Sequence, residues 1–327
     1  MKVLVTGGGG FLGGHLIRTL LNSDTEITVI DITRPNRQLM AHHYNRINWV
    51  QASVIMDDLS EHFVGIDAVY HLAGRALPGN SEDIFRELCK LNVNGTRNVA
   101  RASVTAGVKR FIHISSAAVC GISNNMVLTE NNCDPITSYG RSKLKSEQVV
   151  KEIAGGKMDF VILRPTAFFG EYHLGSLFEM TKAIKQKRYI MIGNGRNHLN
   201  FLYVKDLVDV MIRAVYEPSM TNQVYIVSDE PITLTELTNI IKKELDLPLT
   251  KFYIPEQVGL AIGFAFDIIA NMFRRPMPLS VDRVLSMTHD YYFSSDKLMK
   301  GLSIKFNYGI YEGWARTIKW YRSEGLI

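Results

Sequence analysis

The chain has 327 residues, of which 46% are apolar and 21% charged, and this is the composition of an ordinary soluble protein with one large or two modest domains and a substantial core. The net charge of +5 is spread over scattered lysines and arginines, with no basic run and no basic–aromatic interleaving, so no nucleic-acid partner is expected. Three cysteines, Cys89, Cys120 and Cys133, have no His or Cys at metal-ligand spacing; the odd count points away from disulfides and metal sites and toward a reducing, cytoplasmic compartment.

In chain order, Lys2–Thr6 reads as a buried strand, which leaves no room for a signal peptide before it. Gly7, Gly10 and Gly13 follow, interleaved with Phe11 and Leu12, and a helix then runs through Leu16, Ile17, Leu20 and Leu21. In this strand–turn–helix order Gly7 permits a tight turn, Gly10 lets backbone approach a pyrophosphate, and Gly13 lets the helix pack on the strand. The helix N-terminus then faces the phosphates with its free N–H groups. A second strand, Glu26–Ile30, ends at Asp31, whose carboxylate accepts both ribose hydroxyls and repels a 2′-phosphate. The reading is NAD, and Arg34 and Arg37 just beyond leave NADP open.

Further strands are expected near Asn48–Gln51, Ala68–Leu72, Arg110–Ser115 and Phe160–Leu163, with helices over about Asp83–Ala106 and Tyr139–Ile153 between them. The alternation predicts an α/β fold: a doubly wound parallel (Rossmann) sheet covered on both faces. Ligands bind at the carboxyl ends of such strands, where Gly7, Asp31, Ala73 and Ser116 fall. Residues 1–167 form the nucleotide domain. From about Phe168 the pattern is less regular and predicts a smaller C-terminal substrate-binding lobe over 168–327.

Tyr139 and Lys143 are four apart on one helix face. An ammonium beside a phenol favours the phenolate, and a phenol of ordinary pKa, about 10, is otherwise a poor base at neutral pH. Tuned by Lys143, Tyr139 can exchange a proton with an alcohol or ketone, with Ser116 holding the same oxygen. The spacing alone is common by chance; the dinucleotide turn gives it meaning.

Several ordered motifs together resemble the extended short-chain dehydrogenase/reductase family: Thr6–Gly13, His71-Leu72-Ala73-Gly74, Asn92–Thr96, Ile114–Gly121, Tyr139 with Lys143, Leu163-Arg164-Pro165 and Tyr203–Asp206. The resemblance runs along nearly the whole chain. It implies a nicotinamide-dependent enzyme with Ser116, Tyr139 and Lys143 as its catalytic set, Ser115 being the adjacent alternative to Ser116. Lys143 would also hold the nicotinamide ribose. Cofactor contacts are implied at Gly7, Gly10, Phe11, Leu12, Gly13, Asp31, Leu72, Ala73, Gly74, Asn92, Ser115, Tyr139, Lys143, Pro165 and Ala167. Substrate contacts are implied at Ser116, Cys120, Tyr139, Thr166 and Phe169, with Tyr172, His173 and Thr129-Glu130 as further candidates. The resemblance also implies that about 204–216 returns to the nucleotide domain. It further implies a homodimer built on the 83–106 and Tyr139 helices.

Departures narrow the chemistry. Ala117 and Ala118 stand where family dehydratases carry an Asp-Glu pair, so dehydration is not expected. Ala167 replaces an Asn that holds the substrate diphosphate in sugar-nucleotide relatives, and Asn200 and Leu199 fall near the place of a second anchor, an Arg. Arg196 is the nearest substitute for it. The segments around Gly7–Gly13, Arg164–Gly170 and Thr288–Ser294 read more like the 3β-hydroxysteroid dehydrogenase branch. The leading expectation is therefore hydride transfer to or from a secondary alcohol or ketone carbon of an apolar small molecule. The alternative is a nucleotide-sugar 4-epimerase or 4-ketoreductase, and a non-catalytic dinucleotide sensor is the remote third reading. The apolar run Val258–Phe266, interrupted by Asp267, is too short to span a bilayer, which takes about 20 residues. It reads as a buried amphipathic helix of the small lobe; the other readings are that, with Phe273-Arg274-Arg275 after it, it rests on a membrane or covers an apolar substrate.

Overall fold

Val3 and Val5 point to one face of a sheet and Leu4 to the other, all fully buried. A strand with its two-residue period does this when both faces of its sheet are covered. It is β1 (Lys2–Thr6) of a computed structural model that describes residues 1–34, 45–122, 126–249, 253–273 and 279–327. Next come α1 (Phe11–Leu20), β2 (Glu26–Asp31), β3 (Ile47–Gln51), β4 (Ala68–His71), α2 (Glu82–Cys89), α3 (Thr96–Thr105) and β5 (Arg110–Ile114). Then follow α4 (Ser138–Ala154), β6 (Asp159–Pro165), α5 (Val204–Tyr216) and β7 (Gln223–Val227). The seven strands pair in parallel in the order β3-β2-β1-β4-β5-β6-β7, the expected doubly wound sheet. The order reverses between β1 and β4, and that switch point opens a crevice at the strands' carboxyl ends.

The helix expected over Asp83–Ala106 is continuous but carries a π turn, Lys90–Gly95, between α2 and α3. The turn accommodates Asn92, which is fully buried.

Residues 204–216 form α5, which packs against the sheet. Leu207, Val210, Met211 and Ala214 of α5 share the core with Val3 and Val5. Arg110 of β5 fastens the end of α5 by donating to the carbonyls of Ala214 (2.9 Å) and Glu217 (2.7 Å). Beyond α5, β7 adds an edge strand to β6. Asp206 joins the two parts of the chain by accepting from the backbone N–H groups of Asn307 (2.9 Å), Tyr308 (3.1 Å) and Gly309 (2.9 Å).

The remaining residues form short strand pairs and helices, among them α6 (Glu256–Phe273), α7 (Val281–Thr288) and α8 (Gly309–Ser323). One expectation is overturned here. The apolar run from Val258 lies in α6, but its bulky side chains are largely exposed rather than buried. Periodicity signals an apolar face without saying what covers it. Among the described residues no helix is long and apolar enough to cross a membrane. Arg37, Arg274 and Arg275 lie outside the described residues.

Candidate active site

The glycine turn sits where β1 meets α1, and its geometry leaves no room for a side chain at Gly7, Gly9 or Gly13. Gly7 has φ +74°, and a Cβ there would lie 2.6 Å from the Ala73 nitrogen; a Cβ on Gly13 would lie 2.5 Å from the Gly7 carbonyl oxygen. Asp31, at the end of β2, braces the turn: its carboxylate accepts from the Gly9 N–H (2.9 Å) and from the Thr33 N–H (3.0 Å) and hydroxyl (3.2 Å). Arg34 is exposed beyond it. A cleft of about 870 Å³ opens over this turn and runs to Tyr139 and Lys143. The donor set fits a dinucleotide: a cradle that a Cβ would fill, a helix N-terminus facing it, and a carboxylate at the second strand's end.

Of the residues expected to meet the cofactor, Gly7, Gly10, Phe11, Leu12, Gly13, Asp31, Leu72, Ala73, Gly74, Ser115, Tyr139 and Lys143 line this one cleft. Asn92 does not. Its side chain accepts from the Arg75 N–H (3.0 Å) and donates to the Arg75 carbonyl (3.0 Å) and the Ser142 hydroxyl (2.9 Å), tying the loop after β4 to α4. Pro165 and Ala167 are also off the cleft; Pro165 is paired with Val227 in the sheet, and Ala167 pairs with Phe201. The cleft also takes in Ala52–Met56 after β3, Arg75 and Phe168, none of which the motifs marked. Their signal was positional, since they follow the carboxyl ends of strands.

The three catalytic candidates come together. Ser116 lies just after β5 and caps the short turn Ala117–Val119 by accepting from the Ala118 N–H (3.2 Å). Its side chain also hydrogen-bonds Tyr139. Tyr139 lies in the first turn of α4, whose N-cap Thr137 accepts from the Gly140 N–H (3.0 Å). One turn on, the Lys143 ammonium donates to the Ile114 carbonyl (2.6 Å).

The electrostatics differ from expectation. Burial raises the Tyr139 phenol above its ordinary range, and the hydrogen bond from Ser116 is what opposes it. Lys143 is engaged by Ile114 instead, and burial pushes its own pKa down to about 8, with Glu147 opposing. Burial, and secondarily Lys143, pushes His71 beneath it down to about 3. His71 is therefore neutral and bridges the hydroxyls of Thr6 (2.7 Å) and Thr96 (2.9 Å). Below the site Glu147 accepts from Ser115 (2.5 Å) and twice from Arg164 (2.8 Å each), with Glu147 and Arg164 both excluded from solvent.

The expected substrate contacts need correction. Phe169 is fully buried and stacks on Trp314 with ring centres 4.5 Å apart. Strand alternation sends the neighbouring Phe168 to the cleft instead, where it stacks on Phe11 at 5.9 Å, beside His173. Cys120 is buried, its thiol 3.7 Å from the Thr129 carbonyl and 3.7 Å from the Arg164 guanidinium. Thr166 is buried against Ser228, with 3.4 Å between the hydroxyl oxygens. Glu130 is structural, its carboxylate accepting from the Ile226 N–H (2.9 Å). Arg196 is an exposed turn residue.

Comparison with known proteins agrees with this geometry. The chain is 26% identical over 325 residues to the N-acetyl-α-D-glucosaminyl-diphospho-ditrans,octacis-undecaprenol 4-epimerase of Escherichia coli O157:H7, covering 98% of this chain and 95% of that protein. It is also 26% identical to the decarboxylating sterol-4-α-carboxylate 3-dehydrogenase of Mus musculus, over 91% of this chain and 85% of that one. The fold matches the UDP-glucuronic acid 4-epimerase of Bacillus cereus solved with NAD, at a TM-score of 0.78, 20% identity and 99% coverage of both chains. Residues 3–228, more than half of the chain, match the NAD dependent epimerase/dehydratase family. With the dinucleotide cradle, Tyr139 and Lys143 on one cleft, the chain belongs to that family and is an NAD-dependent enzyme that moves a hydride to or from a secondary alcohol or ketone carbon.

Proposed function

We propose that this enzyme is a 4-epimerase of a sugar joined to a carrier through a diphosphate. The observation that carries the reading is the end-to-end likeness to a 4-epimerase of a diphosphate-linked sugar, combined with Tyr139 and Lys143 at the dinucleotide cleft and Ser116 hydrogen-bonded to Tyr139. Bound NAD supplies a reversible hydride acceptor. Tyr139 takes the proton of the C4 hydroxyl as that carbon is oxidised and gives it back when the 4-keto sugar, turned over in the site, is reduced on its other face. Atoms and electrons balance with no net redox change. Burial favours the neutral phenol, the form that donates to a ketone oxygen, and the Ser116 hydroxyl favours the phenolate needed for the first step. Ala117 and Ala118 offer no acid or base for dehydration.

The second reading, an apolar-alcohol 3-dehydrogenase, draws on the likeness to the sterol enzyme and on Ala167 where sugar-nucleotide relatives carry a polar anchor. The two differ in net redox. A 4-epimerase interconverts two diphosphate sugars at constant total NADH, with NAD retained through purification. Stoichiometric NADH formed from a sterol-like alcohol, with no sugar interconversion, would replace the epimerase reading. A homodimer through α2–α4 and a cytoplasmic location, in keeping with three free thiols, belong to the same proposal.

Lys143 gives the reaction a pH dependence. With its pKa lowered to about 8, the ammonium is present below that pH and lost above it. kcat/KM is therefore expected to fall as pH rises through about 8. In Lys143→Arg, whose guanidinium stays charged, the fall should vanish below about pH 10, even though the variant is slower. A pH–rate profile identical in both proteins would remove Lys143 from this role.

A further inference from the structure

Helix α6 presents an apolar face to the outside, where an ordinary surface helix is polar. At 100° per residue, Val258, Ile262, Phe264, Ile268, Met272 and Phe273 spread over about half of the cylinder, and all are exposed, Phe264 by 63%, Met272 by 71% and Phe273 by 64%. The inner side carries Gly259, Gly263, Ala270 and Asp267, with Leu260 and Phe266 partly buried among them. A Cβ on Gly259 would lie 2.5 Å from Ile192, and one on Gly263 would lie 2.9 Å from the Ser280 backbone. Asp267 turns inward to accept from the Val281 N–H (3.0 Å) at the start of α7. The outer half of α6 beyond Gln257 thus carries no charged side chain among the described residues.

Such a patch calls for a cover. An 18-residue helix is about 27 Å long and about 10 Å wide, a footprint near 300 Å², against about 800 Å² per partner in a stable protein interface. A second copy of the chain seated on α6 alone would bury too little. A bilayer sets no such limit, because a helix lying in its surface buries one apolar half and leaves the other on the protein.

Charge favours the same occupant. Lys185, Lys187 and Arg188 are exposed, and no described carboxylate pairs with them. This basic turn leads through exposed Ile190 into the strand Met191–Ile192, which pairs with Tyr253–Ile254, the strand that feeds α6. We propose that α6 docks the substrate lobe on an anionic lipid bilayer, its outer half in the boundary between headgroups and acyl chains. The basic turn supplies the attraction to the headgroups. The docking is independent of which carrier holds the sugar.

The test is co-sedimentation of the full chain with phosphatidylcholine vesicles, with and without phosphatidylglycerol. Two variants accompany it, Phe264→Asp/Met272→Asp and Lys185→Glu/Arg188→Glu, each checked for wild-type circular dichroism and turnover. The wild type should bind the phosphatidylglycerol vesicles preferentially. The first variant should lose at least about tenfold in partitioning to them. The second should lose the preference for the anionic lipid and the sensitivity to salt. Wild-type protein left in the supernatant with both vesicles would overturn the proposal. Undiminished binding by the first variant would do the same, as would a solution oligomer that the first variant dissociates. Equal wild-type binding to both vesicles would overturn the choice of an anionic surface.

Discussion

Tyr139→Phe is expected to lower kcat by about 10³-fold, within the range that a positioned acid–base group contributes, while NAD affinity stays within about twofold. The substitution removes one oxygen and keeps the ring in the first turn of α4, so packing is nearly conserved. The lost oxygen is the one that Ser116 hydrogen-bonds. Lys143 reaches the Ile114 carbonyl without help from the phenol and should not move. The glycine turn and Asp31 lie at the other end of the cleft, so the dinucleotide cradle is untouched. Adding Ser116→Ala to Tyr139→Phe should cost little more, since both side chains act on the same substrate oxygen. Steady-state kinetics with calorimetric NAD titration checks all three expectations. Full activity in Tyr139→Phe would exclude the proposed proton path.

The largest stability effect is expected at Arg164→Met, a loss of about 3–5 kcal/mol. Arg164 is 1% exposed and makes two 2.8 Å hydrogen bonds to Glu147, itself 0% exposed. Removing the guanidinium leaves Glu147 as a buried carboxylate with only the Ser115 hydroxyl as a strong donor. At about 2–4 °C per kcal/mol for a chain of this class, the melting temperature should fall by about 6–20 °C. The paired replacement Arg164→Met/Glu147→Met should recover much of the loss, because two apolar side chains leave no uncompensated charge. Recovery will be incomplete, since Arg164 also holds the Glu130 carbonyl (2.9 Å) and Ser115 loses its acceptor. A thermal-denaturation double-mutant cycle measures this coupling. A single variant as stable as wild type would mean that the ion pair does not fasten β6 to α4.

The parts of this protein written in local sequence were legible. β1, the glycine turn and α1 announce themselves by an apolar run, three spaced glycines and a helical period, and Tyr139 and Lys143 share a face by their i,i+4 spacing alone. What depended on distant partners was not. β7 is five residues inside an irregular stretch, and it becomes a sheet strand only because β6 offers an open edge. Phe169 and Phe168 are adjacent, and pairing with Phe201–Tyr203 decides which of them faces the cleft. Lys143 was expected to tune Tyr139 because the sequence places them together, but the Ile114 carbonyl that engages it comes from β5. The apolar character of α6 was plain, whereas its exposure follows from two glycines seated against Ile192 and Ser280, a tertiary fact.

The central claim is that a hydride leaves and returns to one carbon of a diphosphate-linked sugar within a single binding event. The direct measurement is conversion of a substrate carrying deuterium at C4, followed by mass spectrometry and proton NMR of the epimeric product formed in ordinary water. The label is expected to stay at C4 in the product, with no rise in total NADH. Washout of the label to solvent, or its accumulation in free NADH without an epimeric product, would contradict it.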